Sequence, residues 1–226
     1  MLRSLVCGNK YEKAARAQGA VHIAGVDEVG RGSLFGPVVA AAVILPCETR
    51  IRGLRDSKQL EREDRERLAA VVERKALAIA IEEVDAETID RINIYQASLV
   101  AMKRALEQLP AQLNAECDYL LLDAVRLDLP VTQKPLIHGD ARCFSIAAAS
   151  ILAKVHRDQA LIEWDRVFPE YGLAQNKGYS TPDHIAALER LGPTTLHRFS
   201  FEPVRNNSPY SCWTGYPAMA AAAGTS

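Results

Sequence analysis

Residues 21–45 constrain the fold more than any other stretch of the chain. Two apolar runs, 21–27 (VHIAGVD) and 38–45 (VVAAAVIL), have the length and composition of strands. The segment between them, GRGSLFGP, is rich in glycine and breaks both helical and strand periodicity, so it is a shaped loop. A connection this short joins antiparallel neighbours, because a parallel return needs a crossover of a dozen or more residues. An antiparallel hairpin is therefore expected at the start of the fold.

The rest of the chain interleaves helices and strands. Ser57 is a plausible N-cap for a helix over 58–75, which keeps Leu60, Leu68, Val71 and Val72 for the core. A strand follows at 77–84, then helical patterns at 86–92 and 94–109, where Tyr95, Leu99, Met102 and Leu106 share a face. The strand at 119–123 is apolar until its last residue. A connection containing Pro and Lys leads to 137–140 and a long helix over 144–167. Thr181-Pro182 opens a further helix that stops at Gly192-Pro193. This alternation predicts an α/β fold, and the initial hairpin makes its sheet mixed. The 226 residues suit one domain. It is expected over 21–205, after an N-terminal segment 1–20. The Asn/Ser/Pro-rich stretch 206–226, ending in AMAAAAGTS, is expected to be a disordered tail.

Composition narrows the function classes. Acids and bases nearly cancel, 28 against 27, so overall charge lends no support to nucleic-acid binding, and any support must be local. The five cysteines are scattered and include no CxxC spacing, which argues against a zinc site or a disulfide framework. A reducing cytoplasm, with Cys117 and Cys143 as core residues, is the simple expectation. No signal-peptide core is visible, and the longest apolar stretches fall short of the roughly 20 residues that cross a bilayer. A soluble protein without a membrane partner is expected.

Three acids stand where apolar runs end or a helix begins. Asp27 closes VHIAGV, Asp123 closes YLLL, and Asp140 follows PLIHG. In an α/β sheet, ligand sites collect at the carboxyl ends of strands. Carboxylates gathered there repel unless cations neutralise them, and hard oxygen ligands suit Mg2+ or Mn2+. Each acid alone has an ordinary reading as a solvated strand end or, for Asp140, a helix cap. Glu28 adds a difficulty, since adjacent strand residues point to opposite faces. It shares a site with Asp27 only if the chain bends, which Gly30 and Gly32 would permit.

Gly30-Arg31-Gly32 lets a backbone approach a ligand closely around one guanidinium, although the same three residues could form a plain turn. Lys58, Lys154, Arg157, Lys177 and Arg198 are open to phosphate contact or simple solvation. Tyr179 and Phe199 stand beside bases, a combination that suits nucleic acid. Tyr171, Trp164 and Phe168 read as core, His156 and His184 as surface helix residues, and His22 as packed in its strand.

Several of these segments together resemble the type 2 ribonucleases H, the ribonuclease HII family. GVDEVGRGSLFGPVVAAAVIL resembles that family's opening signature, Asp56-Ser57-Lys58 its DSK element, and NIYQASLVAMKRAL its central helix. Asp123 stands at its third acidic position, and HGDARCFSIAAASILAKVHRD resembles the fourth with its alanine-rich helix. Lys177-Gly178-Tyr179, Thr181, His184 and HRFSFEPV resemble the C-terminal signature. The resemblance runs over about 21–204. Two positions depart from it: Ala124 stands where glycine is usual, with little effect expected, and His138 stands where lysine is common.

The resemblance implies a ribonuclease H-like mixed sheet flanked by helices, with a C-terminal helical extension. It also implies hydrolysis of the RNA strand of RNA–DNA hybrids and of ribonucleotide-containing duplex DNA by a monomer using Mg2+ or Mn2+. Asp27, Glu28, Asp123 and Asp140 carry over as metal ligands. Gly30, Arg31 and Gly32 carry over as readers of the 2′-hydroxyl, Tyr179 as the residue stacking on the next sugar, and Lys58 and Lys154 as further substrate contacts. A non-catalytic binder on this fold would be expected to lose acids, and all four are present. A phosphatase or P-loop enzyme would be expected to show DxD or GxxxxGK[ST] elements. The sister ribonuclease HIII carries an N-terminal substrate-binding domain, for which the roughly 20 residues before the first strand leave no room.

Overall fold

The computed structural model describes residues 7–47 and 49–208; of the stretch 206–226 expected as a tail, Asn206 instead closes a helix and Ser208 is buried, and 209–226 lie outside the described residues. At its centre is a five-stranded sheet in the order β3-β2-β1-β4-β5. The strands are β1 (Ile23–Val29), β2 (Val38–Ile44), β3 (Ala78–Val84), β4 (Tyr119–Asp123) and β5 (Thr132–Leu136). β1 and β2 form the expected antiparallel hairpin, with Asp27 opposite Ala41 and Glu28 opposite Ala40. β3 adds antiparallel to β2, whereas β4 and β5 run parallel to β1. The sheet is mixed.

β2 is buried on both faces, which explains its lack of polar residues. Val38, Ala40, Ala42 and Ile44 pack in the cluster that contains α4 (Ile94–Leu113). Val39, Ala41 and Val43 pack opposite, with α2 (Arg62–Lys75) and α5 (Phe144–Val167). Small residues let the helices approach closely. A Cβ on Gly25 of β1 would stand 2.1 Å from the Ser145 carbonyl carbon, so glycine is required for α5 to seat there. The short helices α1 (Lys10–Arg16) and α3 (Ala86–Ile92) complete this part.

Beyond α5, helices α6 (Leu173–Asn176), α7 (Pro182–Leu191) and α8 (Glu202–Asn206) form the C-terminal helical part. Leu34 and Phe35 of the glycine loop are inserted among Leu161, Leu173, Leu188 and Val204. Fully burying a side chain such as Phe35 stabilises by about 1.5–3 kcal/mol. The loop is therefore anchored on two sides, in the sheet and in the helical part. Among the described residues no helix is long and apolar enough to cross a membrane.

Several local expectations are corrected. Ser57 does not cap a helix over 58–75. It starts a single turn of 3-10 helix, Ser57–Gln59, capped by Asp56 on the Lys58 N–H at 2.9 Å, and α2 begins only at Arg62. β5 occupies what the sequence presents as a connection. As an edge strand it tolerates Pro135, which has no N–H to donate. α4 continues through Pro110 because Gln112 beyond it is anchored. Its side-chain amide accepts from the Ile79 N–H at 3.0 Å and donates to the Ile79 carbonyl at 2.6 Å, covering the free edge of β3. Asp140 does not cap α5. Glu12 of α1 accepts from the Ser145 N–H at 2.8 Å instead, placing a negative charge at the helix N-terminus.

Candidate active site

The register of β1 on β4 brings the acids together. Val26 pairs with Leu122, the last pair before both strands reach an acid, so Asp27 and Asp123 stand side by side. Asp140 lies in the turn after β5, and the Gly139 N–H donates to Asp123 Oδ1 at 2.6 Å. A Cβ on Gly139 would come within 2.6 Å of Ile146 Cδ1, so glycine there permits the close turn. Glu28 needs no bend after Asp27, contrary to expectation, because β1 stays in register with β2 through Val29. Glu28 stands on the other face of β1, yet its charge acts on Asp27 and that of Asp123 acts on it.

The charges of these groups act on one another. Burial pushes the Asp27 carboxyl well above its ordinary pKa, and the charges of Glu28, Asp123 and Asp140 push the same way. A hydrogen bond from Ser150 opposes them. Burial raises Glu28 despite the Arg31 guanidinium beside it, and burial raises Asp123 despite its bond from Gly139. Burial alone would lower the Lys58 ammonium, but Asp140 at 3.2 Å raises its pKa overall.

Among the described residues, no group of three or more His, Cys, Asp or Glu side chains is closed around a metal-sized gap. Asp140 is turned to Lys58 and Glu28 to Arg31, at 3.2 Å in each case. Those two bases have side chains 76% and 45% exposed, so both can swing into solvent as a cation enters. Glu28 Oε2 is buried with no hydrogen-bond partner, and a cation would satisfy it. The donor set is all oxygen, so the residues fit Mg2+ or Mn2+.

Beside the acids lies the glycine loop. Ser33 forms an isolated antiparallel bridge with Tyr179, and the Leu34 N–H donates to the Gly178 carbonyl at 2.7 Å. Arg31, Gly32 and Tyr179 therefore share one surface, with Gly30 buried beneath it and Tyr179 36% exposed. Lys154 is turned elsewhere. It pairs with Asp158 at 2.7 Å, and Arg65 also faces Asp158 at 3.8 Å.

Arg157 and Arg198 are fully buried and bond to backbone and Ser33, so neither is a free phosphate contact. His184 is buried, not on the surface, and joins His197 at 3.2 Å between ring nitrogens. Sequence reasoning also missed Ser150, which bonds both Asp27 and Ser57. Its only signal was its place in an otherwise apolar helix run.

A family model described as Ribonuclease HII matches residues 24–204. The chain belongs to the ribonuclease HII family. It is 56% identical over 215 residues to Ribonuclease HII of Solibacter usitatus (strain Ellin6076), covering 92% of each chain. It is 57% identical over 204 residues to Ribonuclease HII of Koribacter versatilis (strain Ellin345), covering 90% of this chain and 79% of that one. Among solved structures, ribonuclease H2 from Pyrococcus horikoshii OT3 superposes with a TM-score of 0.70 at 25% identity, over 83% of this chain and 97% of that one. Family membership makes the chain a ribonuclease H, an endonuclease acting on RNA strands.

Proposed function

We propose that the chain cuts on the 5′ side of ribonucleotides embedded in duplex DNA, and within RNA–DNA hybrids, leaving 3′-hydroxyl and 5′-phosphate ends. The observation that carries this reading is the convergence of Asp27, Glu28, Asp123 and Asp140 beside a glycine loop that shares a surface with Tyr179. The four carboxylates would hold Mg2+ or Mn2+. A bound cation of this kind supplies an activated water and neutralises charge building on the phosphate.

The chain's own residues do the rest. Ser150 and the Gly139 N–H orient Asp27 and Asp123. Lys58 and Arg31, released from their acids, become free to meet phosphates. The 2′-hydroxyl is what separates RNA from DNA at one nucleotide, and it can approach the exposed backbone of Arg31 and Gly32. The Tyr179 ring offers a face to the neighbouring sugar.

Duplex DNA containing one ribonucleotide, incubated with and without Mg2+, tests the reading when the cut is mapped. Cleavage 5′ of the ribonucleotide that stops in EDTA is expected. Equal cutting of an all-DNA duplex, or full activity in EDTA, would sink it.

A further inference from the structure

The glycine loop is held by two arginines that lie out of reach of any substrate, one of which also ties it to the Tyr179 turn. Arg157 of α5 is 1% exposed, and Arg198, between α7 and α8, is 0% exposed. Arg157 grips both segments. Its Nη2 donates to Ser33 Oγ at 2.7 Å and to the Phe35 carbonyl at 3.0 Å, while Nη1 donates to the Lys177 carbonyl at 3.0 Å. Its guanidinium carbon lies 5.9 Å from the centre of the Tyr179 ring. Arg198 holds the other end of the loop, donating to the carbonyls of Gly30 at 2.7 Å, Arg31 at 3.1 Å and Gly36 at 2.9 Å. Every one of these acceptors is a carbonyl or hydroxyl oxygen. The rigid guanidinium fork is used for shape, since it fixes the angles between its acceptors as a lysine could not.

The glycines fit the same picture. Gly30 has φ +90°, and a Cβ there would stand 2.3 Å from Arg157 Nε, so this glycine makes room for the arginine. A Cβ on Gly178 would stand 2.5 Å from Ser33 Oγ, so that glycine makes room for the other segment. Gly32 alone of the three is open, with Tyr179 Cε1 its nearest neighbour at 3.9 Å. Close approach of a ligand is thus possible at Gly32, beside the ring, and not at Gly30.

We propose that Arg157 and Arg198 are positioning residues that hold the backbone of residues 30–32 and the Tyr179 ring at one fixed separation, and that this separation sets the preference for an embedded ribonucleotide, where a ribose meets a deoxyribose, over a uniform RNA–DNA hybrid. The proposal rests on the reading above, in which that backbone and that ring face adjacent sugars. Rigidity matters because a polar group built to pair a hydroxyl rejects the analogue lacking it only if it is left unpaired. A loop free to relax would find another partner and lose the discrimination.

The test measures kcat and KM on two substrates, a duplex with one embedded ribonucleotide and a long RNA–DNA hybrid, for Arg157→Lys, Tyr179→Ala and the double variant. Arg157→Lys is expected to lose roughly tenfold or more in kcat/KM on the single ribonucleotide, the scale of a lost charged hydrogen bond, and less on the hybrid. The double variant is expected to be no worse than Tyr179→Ala alone. Equal losses on the two substrates, or single losses that multiply in the double variant, overturn the proposal. If Arg157→Lys does not fold, Ser33→Ala decides instead by removing one acceptor; a selective loss of roughly threefold supports the proposal and no selective loss overturns it. If Tyr179→Ala leaves selectivity unchanged, the sugar-reading role of the ring fails, and the proposal falls with it. That outcome is distinct from one in which Tyr179→Ala is selective and Arg157→Lys is not, which overturns the positioning role alone.

Discussion

At the scale of single residues, Asp27 carries opposed demands. It is 5% exposed among three other acids, and the Ser150 hydrogen bond does not offset burial and their charges. A carboxyl whose pKa is higher folded than unfolded binds its proton more tightly when folded, so it adds stability as pH falls through the folded value and removes it as pH rises. Asp27→Asn is therefore expected to raise the melting temperature in EDTA at pH 8, by a margin that shrinks as the pH is lowered. The same variant is expected to lose more than about 4 kcal/mol of transition-state stabilisation, or roughly a thousandfold in rate. Activity within tenfold of the parent would show that Asp27 is not a metal ligand. A second single-residue expectation concerns Ala124, whose φ is +54°. Left-handed backbone strains an L-residue by roughly 1–2 kcal/mol, and glycine loses about 0.4–1 kcal/mol of that advantage to its freer unfolded state. Ala124→Gly should thus stabilise modestly, and a lower melting temperature would contradict this account. The sequence shows the small residue after Asp123, but the positive φ that explains it appears only in three dimensions.

At the scale of elements, the histidines of the C-terminal part form one hydrogen-bonded chain. The Thr194 N–H donates to His197 Nδ1 at 3.0 Å, and His184 Nδ1 lies 2.9 Å from the Tyr179 carbonyl, which can only accept. Nδ1 of His184 must then carry a proton, and His197 Nε2–H must donate to His184 Nε2. This arrangement requires both rings neutral. Burial pushes His197 down to about 3, and burial lowers His184 as well, whereas a hydrogen bond to Glu83 raises His156. In an NMR titration from pH 8 to pH 5, His156 should take up its proton above 6.5 while His197 stays neutral as the Nε2–H tautomer. Protonation of His197 within that range would refute the relay. The elements themselves were largely legible: the hairpin, β3, β4, α5 and α7 all follow from apolar runs, caps and Pro/Gly punctuation. What escaped were elements defined by distant partners. β5 is a strand because β4 offers it an edge, and the last turn of α4 survives Pro110 because Gln112 bonds Ile79. His184 and Arg157 looked like surface residues because helical periodicity does not reveal that α6 to α8 fold back over the glycine loop.

At the scale of the whole molecule, the acids were visible as the ends of apolar runs, although only Asp123 ends a strand and Asp27 lies inside β1, and their convergence is a property of register. Val26 pairing with Leu122 places Asp27 beside Asp123, and no local pattern encodes that pairing. The price of the convergence is spread over the fold: Asp27, Glu28 and Asp123 all bind protons more tightly than usual because burial disfavours their charged forms. In the proposed reading, a divalent cation would bind these carboxylates, offset that penalty and favour the folded chain. At a concentration of 100 times its Kd it should stabilise the protein by about 2.7 kcal/mol. It should also flatten the downward pH trend expected in EDTA, since a cation competes with protons for the same oxygens. Melting curves in Mn2+ should therefore rise relative to EDTA, and the gap should widen as pH increases from 6 to 8. In Asp27→Asn the gap should shrink at every pH. A gap independent of pH, or one left intact by Asp27→Asn, would place the cation away from the four carboxylates and separate them from the chemistry.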